Sequence, residues 1–235
     1  MDRQAALIIG VGPGLGTALV RRCLDQGMNV VAAARSATGL ESLREVGPRD
    51  RLHLRDADAT SVEDVGALFD YAEGELSVPD LVVFNAGTFE PGEVTGIEPE
   101  EFERCWKVGC LGGFIVGRAA ARRMGPRGSG SILFTGATAS LRGSAGFANL
   151  AVPKFGLRAL AQSLARELGP KNVHVAHVII DGQIRSARYE HLVEERGPDS
   201  LLEPAVIADA FLWLHHQHRS AWTFELDLRP WTEKF

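Results

Sequence analysis

The chain has 235 residues, 45% of them hydrophobic and 23% charged, with a formal net charge of −5. That length and apolar content suit one domain over residues 1–235 with a sizeable core. The charge is mildly acidic with no basic run, which argues against a nucleic-acid partner. The sequence lacks an apolar run of about 18 residues, so no spanning helix is expected.

Short apolar runs alternate with longer amphipathic ones. The opening MDRQAALIIG reads as the approach to a strand, not as a secretory signal. A strand is predicted at Ala5–Ile9, then a glycine-rich turn, then a helix over Leu15–Gln26. Gly27 suits a left-handed cap after that helix. Next come a strand at Asn29–Ala34, a helix at Gly39–Val46, a strand at Arg51–Arg55, a helix at Val62–Gly74 and a strand at Leu81–Phe84. One long helix is predicted over Glu100–Met124, followed by a strand at Ser131–Thr135. A helix over Leu150–Leu168 follows, with Pro153 in its first turn, where a missing N–H costs little. Gly169-Pro170 is expected to end it with a cap like that of Gly27. A strand at Val173–Ile180, a helix at Pro204–His215 and a last strand near Trp222–Leu226 complete the chain. The charged stretch Tyr189–Ser200, with Gly197-Pro198 inside it, reads as a lid or as a plain surface loop. Continuous apolar strands alternating with helices predict an α/β fold. It is a single-domain, doubly wound parallel sheet of Rossmann type, with helices on both faces. Ligand is expected outside the carboxyl ends of the strands.

The first turn reads Gly10-Val11-Gly12-Pro13-Gly14-Leu15-Gly16. Glycines there let backbone N–H groups approach a pyrophosphate, and a helix N-terminus adds positive potential. Following a strand and opening a helix, this turn predicts dinucleotide binding. An acid is expected about 20 residues on, to hold the ribose 2′-hydroxyl of NAD. Here the second strand ends Ala34-Arg35-Ser36, without a carboxylate. Arg35 suits a 2′-phosphate, which favours NADP over NAD. A solvent-facing arginine at a strand end is the alternative.

The spacing Gly10-x3-Gly14-x-Gly16 resembles the glycine motif of the short-chain dehydrogenase/reductase family. Asp58-Ala59-Thr60 resembles the family's acidic position near the adenine. Asn85-Ala86-Gly87 resembles its NAG motif. Lys154 with Phe155-Gly156-Leu157 resembles its active-site helix. Together with the phosphate chemistry of Arg35, the resemblance implies cofactor contacts at Gly10, Gly14, Leu15, Gly16, Arg35, Asp58, Asn85, Ala86, Gly87 and Lys154. It also implies a catalytic tetrad of Asn, Ser, Tyr and Lys. Carried over by position, the lysine falls on Lys154, but the tyrosine falls on Leu150, the serine on Ala137 and the asparagine on Gly109. Leucine neither donates a proton nor tunes one. The loss of an acid catalyst typically forfeits about 10²–10⁴ in rate. In the family this lysine also hydrogen-bonds the nicotinamide ribose, a role that outlives the tyrosine.

Replacement groups are sought nearby. Thr138 or Ser140 offers a hydroxyl to polarise a carbonyl, or merely caps local backbone. Tyr189 offers a phenol from the lid segment. Asp181-Gly182 stands where the family usually has Pro-Gly, either as a general acid or as a turn. His215, His216 and His218 lack the accompaniment of a metal motif, and no metal is expected. Cys23, Cys105 and Cys110 are odd in number and lack paired spacing, so they read as reduced thiols in a cytoplasmic protein. Two functions are open. One is an NADP(H)-dependent oxidoreductase with a non-standard proton donor, acting on an enoyl or carbonyl substrate. The other is a catalytically silent relative that binds nucleotide as a sensor or oligomer partner. The resemblance also implies a homodimer or homotetramer built on the two long helices, with Gly112, Gly113 and Gly117 permitting close packing there.

Overall fold

In the computed structural model, which describes residues 3–44 and 46–233, seven parallel strands form one sheet in the order β3-β2-β1-β4-β5-β6-β7. They are β1 (Ala5–Ile9), β2 (Asn29–Ala34), β3 (Leu52–Asp56), β4 (Leu81–Phe84), β5 (Ser131–Thr135), β6 (His174–Ile180) and β7 (Glu225–Leu228). All residues of β1, β4, β5 and β6 are buried. Their side chains alternate between two cores, as strand geometry requires. Ala6 and Ile8 join Leu19, Ile207 and Phe211 on one face, while Leu7 and Ile9 join Phe69, Val116 and Leu157 on the other. The first face is covered by α1 (Leu15–Asp25) and α8 (Pro204–His215). The second is covered by α3 (Val62–Glu75), α5 (Gly112–Arg127) and α6 (Ala148–Leu168). No helix among the described residues is long and apolar enough to cross a membrane.

Several expectations need correction. The predicted helix Gly39–Val46 is a 3-10 turn at Ala37–Gly39 and one helical turn, α2 (Glu41–Arg44); Glu45 lies outside the described residues, as do Met1 and Asp2 at the head of the chain. The predicted last strand near Trp222–Leu226 forms later, at Glu225–Leu228, where it pairs with β6 from His177 onward. The helix over Glu100–Met124 begins earlier, as α4 (Pro99–Trp106). It passes through a π-helical turn at Lys107–Leu111 and continues as α5. Helix α6 starts two residues before Leu150, so Pro153 stands beyond its first turn. There it deletes the bond its nitrogen would give to the Asn149 carbonyl. Gly27 adopts the expected left-handed conformation, with φ at 80°. Gly169 does not: its φ is −53°, and α6 runs on into a 3-10 turn that ends at left-handed Asn172. The stretch after Tyr189 folds as a short helix, α7 (His191–Arg196).

Candidate active site

Because every strand is parallel, their carboxyl ends gather on one edge. The sheet order reverses between β1 and β4, and the glycine turn after β1 sits at this switch point. Its glycines divide by role. A Cβ on Gly10 would lie 2.3 Å from the Ala86 nitrogen, and one on Gly16 would lie 2.6 Å from Val11 Cα. These two are glycine because backbone crowds them. A Cβ on Gly12 or Gly14 would meet nothing within 4 Å. Those two open outward, toward whatever the turn cradles. The first turn of α1 carries no acidic residue, so its free N–H groups are not pre-empted by a side chain.

A groove of about 230 Å³ runs beside the turn, lined by Gly10, Arg35, Asp58, Asn85, Ala86 and Gly87 among others. Arg35 is exposed and has no hydrogen-bond or ion-pair partner among the described residues. Asp58 accepts from the Thr60 N–H and hydroxyl through Oδ1, both at 2.8 Å. Asn85 is tied inward: its Nδ2 donates to the Gly10 carbonyl at 2.9 Å, and its Oδ1 accepts from Thr135 at 3.0 Å. Its side chain therefore locks the ends of β1, β4 and β5 together.

Lys154 is buried rather than a solvent-facing helix lysine. Its Nζ donates to the Thr135 carbonyl at 2.6 Å and lies 3.7 Å from where a Cβ on Gly87 would stand. An ammonium has three donors, and the Thr135 carbonyl uses one. Burial pushes its pKa down to about 8.

A second cavity, of about 550 Å³, adjoins the turn at Gly14 and Leu15. Its walls include Ala137, Thr138, Leu150 and Tyr189, so three of the sequence-derived positions and the lid phenol meet in one space. Asp181 is not in the wall, but its Oδ1 accepts from the Thr138 hydroxyl just behind it. Ser140 does not reach the cavity. It is fully buried, and its Oγ accepts from the Ala137 N–H at 3.1 Å, closing a 3-10 turn. Gly136 is also fixed by crowding, since a Cβ there would stand 2.4 Å from His177 Nε2. Burial pushes that imidazole down to about 4, so it is neutral at pH 7, with Nδ1 3.1 Å from Glu225.

Gly109 lies in the π-turn, and a Cβ on it would approach Pro153 Cβ to 2.8 Å. No larger residue fits between this turn and α6. The histidines near the end of α8 serve local structure. His215 Nδ1 pairs with Ser131 at 3.0 Å, and His218 pairs with Ser220 at 2.8 Å. Sequence reasoning missed much of the cavity wall, including Phe89, Arg142, Phe147 and Ile184. These come from separate loops, and no local pattern marks them.

A doubly wound sheet with an open glycine cradle and a groove at its switch point defines a dinucleotide-binding class of domain. A family model described as short chain dehydrogenase matches residues 4–195. The chain belongs to that family. It is 27% identical over 243 residues to a 3alpha-hydroxysteroid dehydrogenase of Mediterraneibacter gnavus, covering 96% of this chain and 95% of the relative. A solved short-chain dehydrogenase from Rhodopseudomonas palustris is 36% identical with a TM-score of 0.82, covering 98% of this chain and 100% of that one. A metagenomic short-chain oxidoreductase solved in complex with NADP is 25% identical with a TM-score of 0.82, covering 97% of each chain.

Proposed function

We propose that the chain binds NADP(H) and acts as an oxidoreductase whose proton chemistry does not run through a tyrosine. The observation that carries this reading is the position of Leu150. It faces the larger cavity one helical turn from buried Lys154, where a phenol would have to stand. The open edge at Gly12 and Gly14 fits a pyrophosphate, and unpartnered Arg35 beside the groove fits a 2′-phosphate. Gly87 and the spare donors of Lys154 would hold the nicotinamide ribose. Bound there, the dinucleotide would supply hydride transfer. The chain's own residues line the cavity with apolar groups beside Arg142 and Arg185, and Thr138 is the hydroxyl beside the vacant serine position at Ala137 that is offered to the reacting group.

Two measurements test this. NADPH should bind at least about tenfold tighter than NADH, since a charge-assisted pair contributes about 1.5–3 kcal/mol. Arg35→Ala should erase that ratio; equal affinities in the wild type would point to NAD. Hydride transfer should then be assayed across ketones, enoyl thioesters and alcohols. Tight NADPH binding with no transfer to or from any of them would make the protein a silent binder instead.

A further inference from the structure

The cavity wall contains a hydroxyl whose proton is already committed. Thr138 lines the cavity, and its Oγ donates to Oδ1 of Asp181 at the end of β6. Asp181 is 4% exposed. Its Oδ2 lies 3.4 Å from the Arg229 guanidinium, and its N–H donates to the Leu228 carbonyl at 2.8 Å. Backbone and ion pair thus hold the carboxylate in place behind the threonine. A carboxylate offers only acceptors, and a hydroxyl has a single proton. Thr138 Oγ therefore presents lone pairs, not a proton, to the cavity. A carbonyl oxygen, itself an acceptor, finds no donor in Thr138. An alcohol hydroxyl finds an acceptor.

Resting on the oxidoreductase reading of the same cavity, we propose that Thr138, oriented by Asp181, is its proton acceptor. The group it takes is a secondary alcohol on an apolar body, and the reaction it favours is oxidation. The apolar body is assigned by the walls Phe89, Phe147, Leu150, Ile180 and Ile184. In the step, the substrate O–H bond breaks and its proton passes to Thr138 Oγ as the threonine's own proton passes to Asp181 Oδ1. The carbinol C–H bond breaks with its electron pair, for which a bound oxidised nicotinamide would be the hydride acceptor, and the C=O bond forms. Asp181 ends protonated and returns its proton to solvent. Thr138 is thus the residue that touches the substrate, and Asp181 orients it and receives its proton. Carbonyl reduction by the same pair would require Asp181 to start protonated.

The test uses the full chain and two probes, 2-octanol and 2-octanone, titrated separately without dinucleotide and read by ligand-observed nuclear magnetic resonance. Wild type should bind the alcohol about fivefold tighter, the effect of one net hydrogen bond. Thr138→Val keeps the side-chain shape and should bring the two affinities together. Asp181→Ala frees the threonine proton and should shift the ratio toward the ketone, an effect that mere loosening of the site would not produce. Arg229 keeps Asp227 as a partner in that variant. Should Asp181→Ala fail to fold, the comparison of wild type with Thr138→Val decides alone. Equal affinities in wild type, an unchanged ratio in Thr138→Val, or no binding of the alcohol overturns the proposal. A parallel NADPH titration separates the two levels. Lost NADPH binding sinks the oxidoreductase reading itself, whereas intact NADPH binding with no alcohol preference sinks only this inference.

Discussion

Burial pushes the Lys154 ammonium down to about 8, so its charge changes within reach of ordinary buffers. Below about 8 the group is protonated and keeps two donors beyond the one given to Thr135. Above it, the charge is gone. NADPH affinity is therefore expected to fall as pH rises through about 8, and Lys154→Met should both weaken binding by about tenfold and remove that pH dependence. Adenosine 2′,5′-bisphosphate, which lacks the nicotinamide ribose, should bind the variant as it binds the wild type. If both ligands weaken alike, the lysine supports the fold in general. The sign for stability is the opposite of the usual ion-paired case. The ordinary lysine value is 10.5, so between about 8 and 10.5 the unfolded chain holds more proton than the folded one. Wild-type stability relative to Lys154→Met should thus rise with pH across that window, by an amount on the order of 3 kcal/mol. Denaturant melts at several pH values measure it. At this scale the sequence was informative about identity and not about burial. It marked Lys154 and Thr138 as positions of interest, but not that Asp181 claims the threonine's proton.

The helix from α4 to α5 shows how two elements constrain one another. Apolar periodicity predicts one helix over Glu100–Met124, and the chain is indeed helical throughout. The π-turn at Lys107–Leu111 is invisible to that pattern, because it inserts a residue into the ladder without adding polar groups. Across the gap, Pro153 of α6 occupies the space a side chain on Gly109 would need. Gly109→Ala is expected to cost about 1–3 kcal/mol through overpacking. In a Pro153→Gly background the added cost should shrink, giving a coupling of about 0.5 kcal/mol or more in a double-mutant cycle. Strict additivity would mean that the two elements do not sense each other there. The glycines of α5 correct a second expectation. A Cβ on Gly113 would stand 2.3 Å from Leu157, and one on Gly117 would stand 2.9 Å from Leu164 and 3.2 Å from Phe134. A Cβ on Gly112 would meet the Ala59 carbonyl at 3.3 Å. All three glycines serve packing within the chain, against α6, the sheet and the loop after β3, rather than contact between subunits.

At the scale of the whole molecule, the outer faces of α5 and α6 carry part of the exposed apolar surface. Phe114, Val152 and Phe155 are each more than two-fifths exposed. We propose that these faces join two copies of the chain, as the family resemblance implies. Sedimentation velocity should give a dimer or larger assembly at micromolar concentration. Phe114→Glu with Phe155→Glu should shift it to monomer without lowering the melting temperature of the isolated domain. A wild-type monomer at high concentration would rule the interface out.

The sequence by itself determined which segments become buried strands, that helices alternate with them, and that a glycine cradle opens the first helix. Those features are local, written in periodicity and in residues such as Gly27 whose φ of 80° few others tolerate. The tertiary structure decided everything that depends on distance between remote segments. It separated Gly10 and Gly16, crowded by backbone, from Gly12 and Gly14, which face open space. It drew Ser140 inward to cap a turn and left Thr138 in the cavity wall. It set Asp181, 43 residues away, behind that hydroxyl. A side chain's chemistry is fixed by its type, but whether a proton on it is available depends on its partners, and partners are assigned only when the chain closes on itself.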